Sequence, residues 1–204
     1  MGKEALEKVF LYWLCHLPSA GALQIRLIGE EAGGFREAYY IEGTQLWKKG
    51  ILKKETDAHR FDDWKKEFSR LEEEYYRLSE KGICFITPLD EMYPSRLYSV
   101  YDYPMGLYVK GNLPQEDKAT AAVIGARNCT AYGREAANYM ARELAAAGIQ
   151  IISGMALGID GAGHEGALNG GGMTYAVLGC GVDQCYPRSN YELYETIPFH
   201  GGLI

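Results

Sequence analysis

Three short stretches of this sequence hold the residue types that bind anions. The first is GAR at 125–127, closing an apolar run that starts at Ala121. The second is SGMALGIDGAGH at 153–164, and the third is GCGVDQCYPRSN at 179–190. Glycine lets the backbone turn sharply and lets N–H groups approach a ligand closely. A helix that follows such a turn adds partial positive charge at its N-terminus. Arginine adds a planar fork that grips one phosphate through two hydrogen bonds. Converging loops of this kind predict an anion site, with phosphate as the natural occupant and Arg127 as its charge.

Each side chain also has a plainer reading. Arg127 could pair with a nearby carboxylate. Ser153 could donate its hydroxyl to the anion or cap the next turn. Asp160 reads first as a cap for a helix starting near Gly161. His164, in the first turns of that helix, reads as a hydrogen-bonded structural histidine before a general base. Pro187 fixes φ in the third loop. The four histidines, His16, His59, His164 and His200, show no HxH or HExxH spacing, so no metal site is expected. There is no GxSxG elbow and no Walker A loop.

The loops need a scaffold, and the second half of the chain supplies its pattern. Strand-like runs at 121–124, 150–152 and 174–178 alternate with helix-like stretches at 132–147, 161–169 and 190–197. A fourth strand should start at Gly201. Alternation of this kind implies right-handed βαβ units and a parallel sheet, and ligands then sit beyond the carboxyl ends of the strands. Two shorter β runs precede it, at 83–86 and 107–109, around a proline-punctuated connector. Three strands and a fragment leave an open sheet edge, and the chain reads as a C-terminally shortened product.

The first 81 residues read as a separate helical domain. Leu6, Val9, Phe10, Trp13 and Leu14 fall at helical spacing. The 18–21 stretch punctuates, a second helix carries Leu23, Leu27 and Ile28, and Gly33-Gly34 breaks it. Short helices are expected at 35–40 and 44–49. A long one is expected from about 62 to 80, with Trp64, Phe68, Leu71, Tyr75 and Leu78 along one stripe and Glu72-Glu73-Glu74 solvated.

Composition narrows the function classes. The 204 residues carry a net charge of −6, which argues against a generally basic nucleic-acid coat and against binding to anionic membranes. A focused basic pocket remains open to it. Five scattered cysteines with no CxxC predict reduced thiols and a cytoplasmic protein. No apolar run reaches membrane-spanning length, the charged N-terminus lacks a signal-peptide core, and Gly2 does not open a complete myristoylation pattern.

Taken in order, YPSRLYSVYDYPMGLYVKG at 93–111, VIGARNCTAYG at 123–133, ISGMALGIDGAGHEGAL at 152–168 and AVLGCGVDQCYPRSNYEL at 176–193 resemble the DNA-processing protein A family, also called DprA or Smf. The N-terminal helices resemble that family's small sterile-alpha-motif-like or helix-hairpin-helix region, with LPSAG at 17–21 as the hairpin turn. The resemblance implies an α/β fold: a helical domain over 1–81, then a Rossmann-like parallel sheet with helices on both faces over 82–204, incomplete at its C-terminal end. It implies single-stranded DNA binding and loading of the RecA recombinase in natural transformation, with no catalysis, no cofactor and no metal. It implies RecA and a second copy of the chain as further partners. By motif, Gly125, Ala126 and Arg127 fall on the family's first phosphate-binding loop, Ser153, Gly154 and Gly158 on its second, and Gly179 and Gly181 on its third. The family continues past position 204 with further strands, basic residues and dimerising segments.

The competing reading is a nucleotide-binding or nucleotide-hydrolysing Rossmann protein related to phosphoribohydrolases. Those enzymes carry a PGGxGTxxE stretch with a chemically important Glu, and the third loop here reads GCGVDQCYP instead.

Overall fold

The computed structural model describes residues 3–18 and 20–204. Met1, Gly2 and Ser19 lie outside the described residues, and with them part of the hairpin turn expected at 17–21 and the reading of Gly2. The chain divides into two compact units. The first comprises the stretch ending at Glu80 together with Phe85–Leu107; the second comprises Lys81–Cys84 and Tyr108–Ile204.

The first unit is helical. Its helices are α1 (Lys3–Cys15), α2 (Ala22–Ala32), α3 (Phe35–Ala38), α4 (Gly43–Lys48), α5 (Glu55–Trp64) and α6 (Phe68–Arg77). The apolar stripe of α1 is buried as its spacing requires, with Trp13 and Leu14 fully so. Helix α2 ends at Gly33, whose left-handed φ of 80° suits a glycine C-cap. The single long helix expected from 62 to 80 is instead two helices, α5 and α6, joined by a 3-10 turn at Lys65–Glu67. The Trp13 and Trp64 indoles account for that interruption. Each donates to the other's backbone carbonyl, at 3.1 and 3.2 Å, and Trp64 sits where the α-helix gives way. Phe68 then stacks on Phe10 with ring centroids 4.5 Å apart, and Leu71 is buried. Glu73 and Glu74 face solvent-exposed Arg77 and Arg70, as a solvated face would.

A short strand, β1 (Cys84–Ile86), spans the boundary. The second unit is built on β2 (Leu107–Gly111, all but its first residue), β3 (Thr120–Ala122), α7 (Ala131–Ala146), β4 (Gln150–Ser153), α8 (Ile159–Asn169), β5 (Thr174–Ala176), α9 (Tyr191–Thr196) and β6 (Gly201–Leu203). Across the sheet these strands run β2-β6-β5-β4-β3. The β3–β4, β4–β5 and β5–β6 pairs are parallel, and β2 runs antiparallel to β6 with Lys110 opposite Leu203. The fold is therefore the mixed α/β, Rossmann-like class the alternation predicts, and the fourth strand starts at Gly201 as expected.

Close helix packing explains the glycine content of α8. A Cβ on Gly166 would lie 2.2 Å from the Asn138 carbonyl oxygen, and one on Gly170 would lie 2.5 Å from that of Arg142, both on α7. Glycine at these positions lets the two backbones touch. Beneath them Ala141, Ala145, Ile151 and Ala167 form a buried cluster of small and branched side chains. Thr130 caps α7, its hydroxyl oxygen accepting the Gly133 N–H at 3.1 Å.

Candidate anion site at the strand ends

Parallel pairing of β3, β4 and β5 puts their carboxyl ends on one edge, and the three glycine-bearing loops leave from there. They enclose a pocket of about 340 Å³. Arg127 lines it from the first loop. Gly154, Ala156 and Leu157 line it from the second. Leu178, Gly179, Cys180, Tyr186 and Pro187 line it from the third, where the Tyr186–Pro187 bond is cis.

Five hydrogen bonds lock the loops together. The Ile159 N–H donates to the Ala126 carbonyl at 3.3 Å. The Gly125 N–H donates to Asp160 Oδ1 at 3.3 Å. The Ser153 hydroxyl donates to the Val123 carbonyl at 2.6 Å. The Asn190 amide donates to the carbonyls of Met155 and Ala156, at 2.8 and 3.2 Å. Met155 is fully buried in a left-handed conformation, φ 63°, uncommon for a side chain of its size.

Arg127 is exposed on the pocket wall, and among the described residues no carboxylate stands within ion-pair distance of it. The salt-bridge reading therefore does not hold. Arg134 on α7, by contrast, grips both oxygens of Glu165 on α8, at 2.8 and 2.9 Å.

The predicted residues divide into wall and frame. Arg127, Gly154 and Gly179 lie on the wall. Gly179 is open, with nothing within 4 Å of the place a Cβ would occupy. Gly154 is crowded, because a Cβ there would sit 2.7 Å from Asp160 Oδ2. Gly125, Ala126 and Gly158 build the frame. A Cβ on Gly158, at φ 78°, would lie 2.3 Å from the Ala126 oxygen, so the first two loops meet only because that residue is glycine. Gly181 starts the turn of the third loop, away from the wall, and its carbonyl accepts the Gln184 N–H. Ser153 is buried and gives its proton to Val123, so the structure does not present it as an anion donor.

Asp160 is not the helix N-cap, a place taken by Gly158. It sits in the first turn of α8 and accepts the Gly125 N–H from the neighbouring loop. Its carboxylate occupies the favourable end of the helix dipole, which leaves Arg127 as the positive charge on the wall. His164 is fully buried. Thr174 Oγ1 donates to the Ile151 carbonyl at 3.1 Å, so it accepts from His164 Nδ1 at 2.7 Å. Nε2 has no hydrogen-bond partner among the described residues, and burial pushes the imidazole pKa down to about 4. It is a neutral structural histidine.

The sequence reads Tyr186, with Pro187, as shaping the third loop and gives neither Tyr186 nor Asn190 a place at the site. Tyr186, 68% exposed, puts an aromatic face on the wall that also carries Arg127. Asn190 reads in the sequence only as a helix start, since nothing in a linear string marks an amide that reaches back 35 residues. Among the described residues no group of three or more His, Cys, Asp or Glu side chains is placed to hold a metal ion, and no helix is long and apolar enough to cross a membrane.

The family model for DNA recombination-mediator protein A matches residues 84–204. The chain is 36% identical to the Bacillus subtilis DNA processing protein DprA over 126 residues, which cover 61% of this chain and 42% of that protein. Among solved structures, DNA processing protein A of Streptococcus pneumoniae superposes with a TM-score of 0.73 at 26% identity, covering 97% of this chain and 65% of that one. DNA processing protein A of Helicobacter pylori, solved for its single-stranded DNA binding mode, gives 0.52 at 31% identity, covering 59% and 54%. The chain thus spans less than two thirds of the relatives it matches.

Proposed function

The chain belongs to the DNA recombination-mediator protein A family, and we propose that its three-loop pocket holds the backbone of single-stranded DNA. The observation that carries this reading is Arg127, a guanidinium with no ion-pair partner among the described residues, on the wall of a pocket built at strand ends. A backbone phosphate lies against its fork, Gly154 and Gly179 let the chain approach closely, and a base stacks on the exposed ring of Tyr186. Frame contacts hold the loops in place before the ligand arrives, so little ordering entropy is lost on binding. The role is binding rather than catalysis: His164, the one side chain weighed as a general base, is buried with its Nδ1 engaged by Thr174, and the Ser153 hydroxyl is given to the Val123 carbonyl.

In the cell this binding serves recombination in the cytoplasm, by delivering the strand to RecA during natural transformation, with the mediator acting as a homodimer. The Helicobacter pylori relative supports the DNA part of that reading. The test is RecA nucleation on single-stranded DNA with and without the protein, together with its sedimentation. Faster nucleation is expected; an unchanged lag would remove the mediator role and leave DNA binding to be judged alone.

A pocket of about 340 Å³ also falls within the size range of small-ligand sites, which favours a nucleotide-binding alternative. A nucleoside monophosphate that competes with oligo-dT only at millimolar concentration fits the DNA reading. Tight binding or turnover of the nucleotide fits the alternative.

A further inference from the structure

The third loop contains two cysteines, Cys180 and Cys185, that the anion site does not require. Between them the chain folds back on itself. The Gln184 N–H donates to the Gly181 carbonyl at 2.9 Å and closes a tight turn over 181–184. Cys180 and Cys185 flank the base of that turn. The ends of that turn, Gly181 and Gln184, lie within about 7 Å of each other, and each cysteine is the next residue outward, where a disulfide asks for Cα separations of roughly 4.4–6.8 Å. The Cys180 thiol lies 3.5 Å from the Gln184 carbonyl oxygen, in the peptide group that leads into Cys185. The turn is anchored at its sides. Tyr194 donates its hydroxyl to the Val182 carbonyl at 2.8 Å, and Lys81 pairs with Asp183 at 3.0 Å. Both thiols are free and partly exposed. Cys180 stands on the pocket wall, and Cys185 immediately precedes the wall residues Tyr186 and Pro187.

We propose that Cys180 and Cys185 form a reversible thiol–disulfide site, in which oxidation closes the turn covalently and reshapes the pocket wall formed by Cys180, Tyr186 and Pro187. The effect on the wall rests on the phosphate-binding reading of the pocket; the disulfide itself does not. The oxidant is a small disulfide of the glutathione class. The Cys180 thiolate attacks one sulfur of oxidised glutathione, whose S–S bond breaks and releases one glutathione thiolate. Cys185, its proton lost to solvent, then attacks the Cys180 sulfur, breaks the mixed disulfide and releases the second. Two protein thiols are oxidised, one glutathione disulfide is reduced to two thiols, and the two protons end on them. Desolvation, helped by Glu195 and Cys180 and opposed by Arg188, raises the Cys185 thiol pKa, which suits it to resolve rather than to attack first.

Arg142 and Arg188 bracket a tryptic peptide, 143–188, whose only cysteines are these two. After treatment of the whole chain with oxidised glutathione and digestion without reductant, this peptide should be lighter by two hydrogens, and dithiothreitol should restore its mass. Cys185→Ser should stop at the glutathione adduct on Cys180. A wild-type peptide that stays reduced, stops at the adduct, or links to another cysteine would overturn the site. Oligo-dT affinity should be lost on oxidation and regained on reduction; unchanged affinity would overturn the effect on the wall. If the reduced protein binds no oligo-dT, the DNA reading fails, while the peptide mass still decides the disulfide.

Discussion

Asn190 donates its side-chain amide to the Met155 carbonyl at 2.8 Å, so the end of the third loop holds the second loop in its left-handed turn. The amide is not on the pocket wall, yet the wall depends on it. Replacing Asn190 by Ala should cost about 1–3 kcal/mol of stability, because the Met155 carbonyl loses its donor and the Ala156 carbonyl is left with the Gly161 N–H alone. It should also weaken oligo-dT binding by more than stability loss explains, since Ala156 and Leu157 would shift. Denaturant melts and binding titrations on the same variant check both parts.

Glycines 166 and 179 should respond in opposite ways. Gly166→Ala forces a Cβ to within 2.2 Å of the Asn138 oxygen, so α7 and α8 must separate and the melting temperature should fall by several degrees. Gly179→Ala meets nothing within 4 Å. Its melting temperature should hold while oligo-dT affinity falls, because the methyl group intrudes only when a phosphate is present.

His164 should make the fold acid-sensitive. Burial holds its pKa down at about 4, against 6.5 for the ordinary side chain. Below 6.5 the unfolded chain takes up a proton that the folded chain refuses until about pH 4. Stability present above 6.5 is therefore lost as pH falls through that window, up to about 3 kcal/mol from this group. Unfolding free energies of wild type and His164→Asn, measured from pH 7 to 4, should converge as pH falls. Parallel curves would contradict the account.

Tyr186 should act as a stacking platform. Its ring is exposed and makes up part of the wall. Tyr186→Ala should cost about 1–3 kcal/mol of oligo-dT binding, and Tyr186→Phe should keep most of it, because the ring rather than the hydroxyl does the stacking. Fluorescence quenching of a 2-aminopurine oligonucleotide would read the stacking itself.

The legibility of this chain followed the range of the interactions involved. Strand–helix alternation in the second half was readable because periodicity is local, and β3 to β6 and α7 to α9 fall within a few residues of their expected places. The convergence of the three loops followed from the parallel sheet alone. What stayed hidden depends on contacts across long sequence separations. The break between α5 and α6 is tied to indoles 51 residues apart. Ser153 looks like an anion donor in the string and proves to be a stitch from β4 to Val123, the residue just past β3. Asp160 looks like a cap and proves to brace the first loop.

The central claim is that Arg127 holds a DNA phosphate, and fluorescence anisotropy of labelled oligo-dT across a salt series tests it most directly. The account predicts salt-sensitive binding by the wild-type chain. Arg127→Ala should weaken it and lower the salt slope by about one counterion, with its melting temperature unchanged. Equal affinity and equal slope in the two proteins would place the DNA elsewhere and contradict the account.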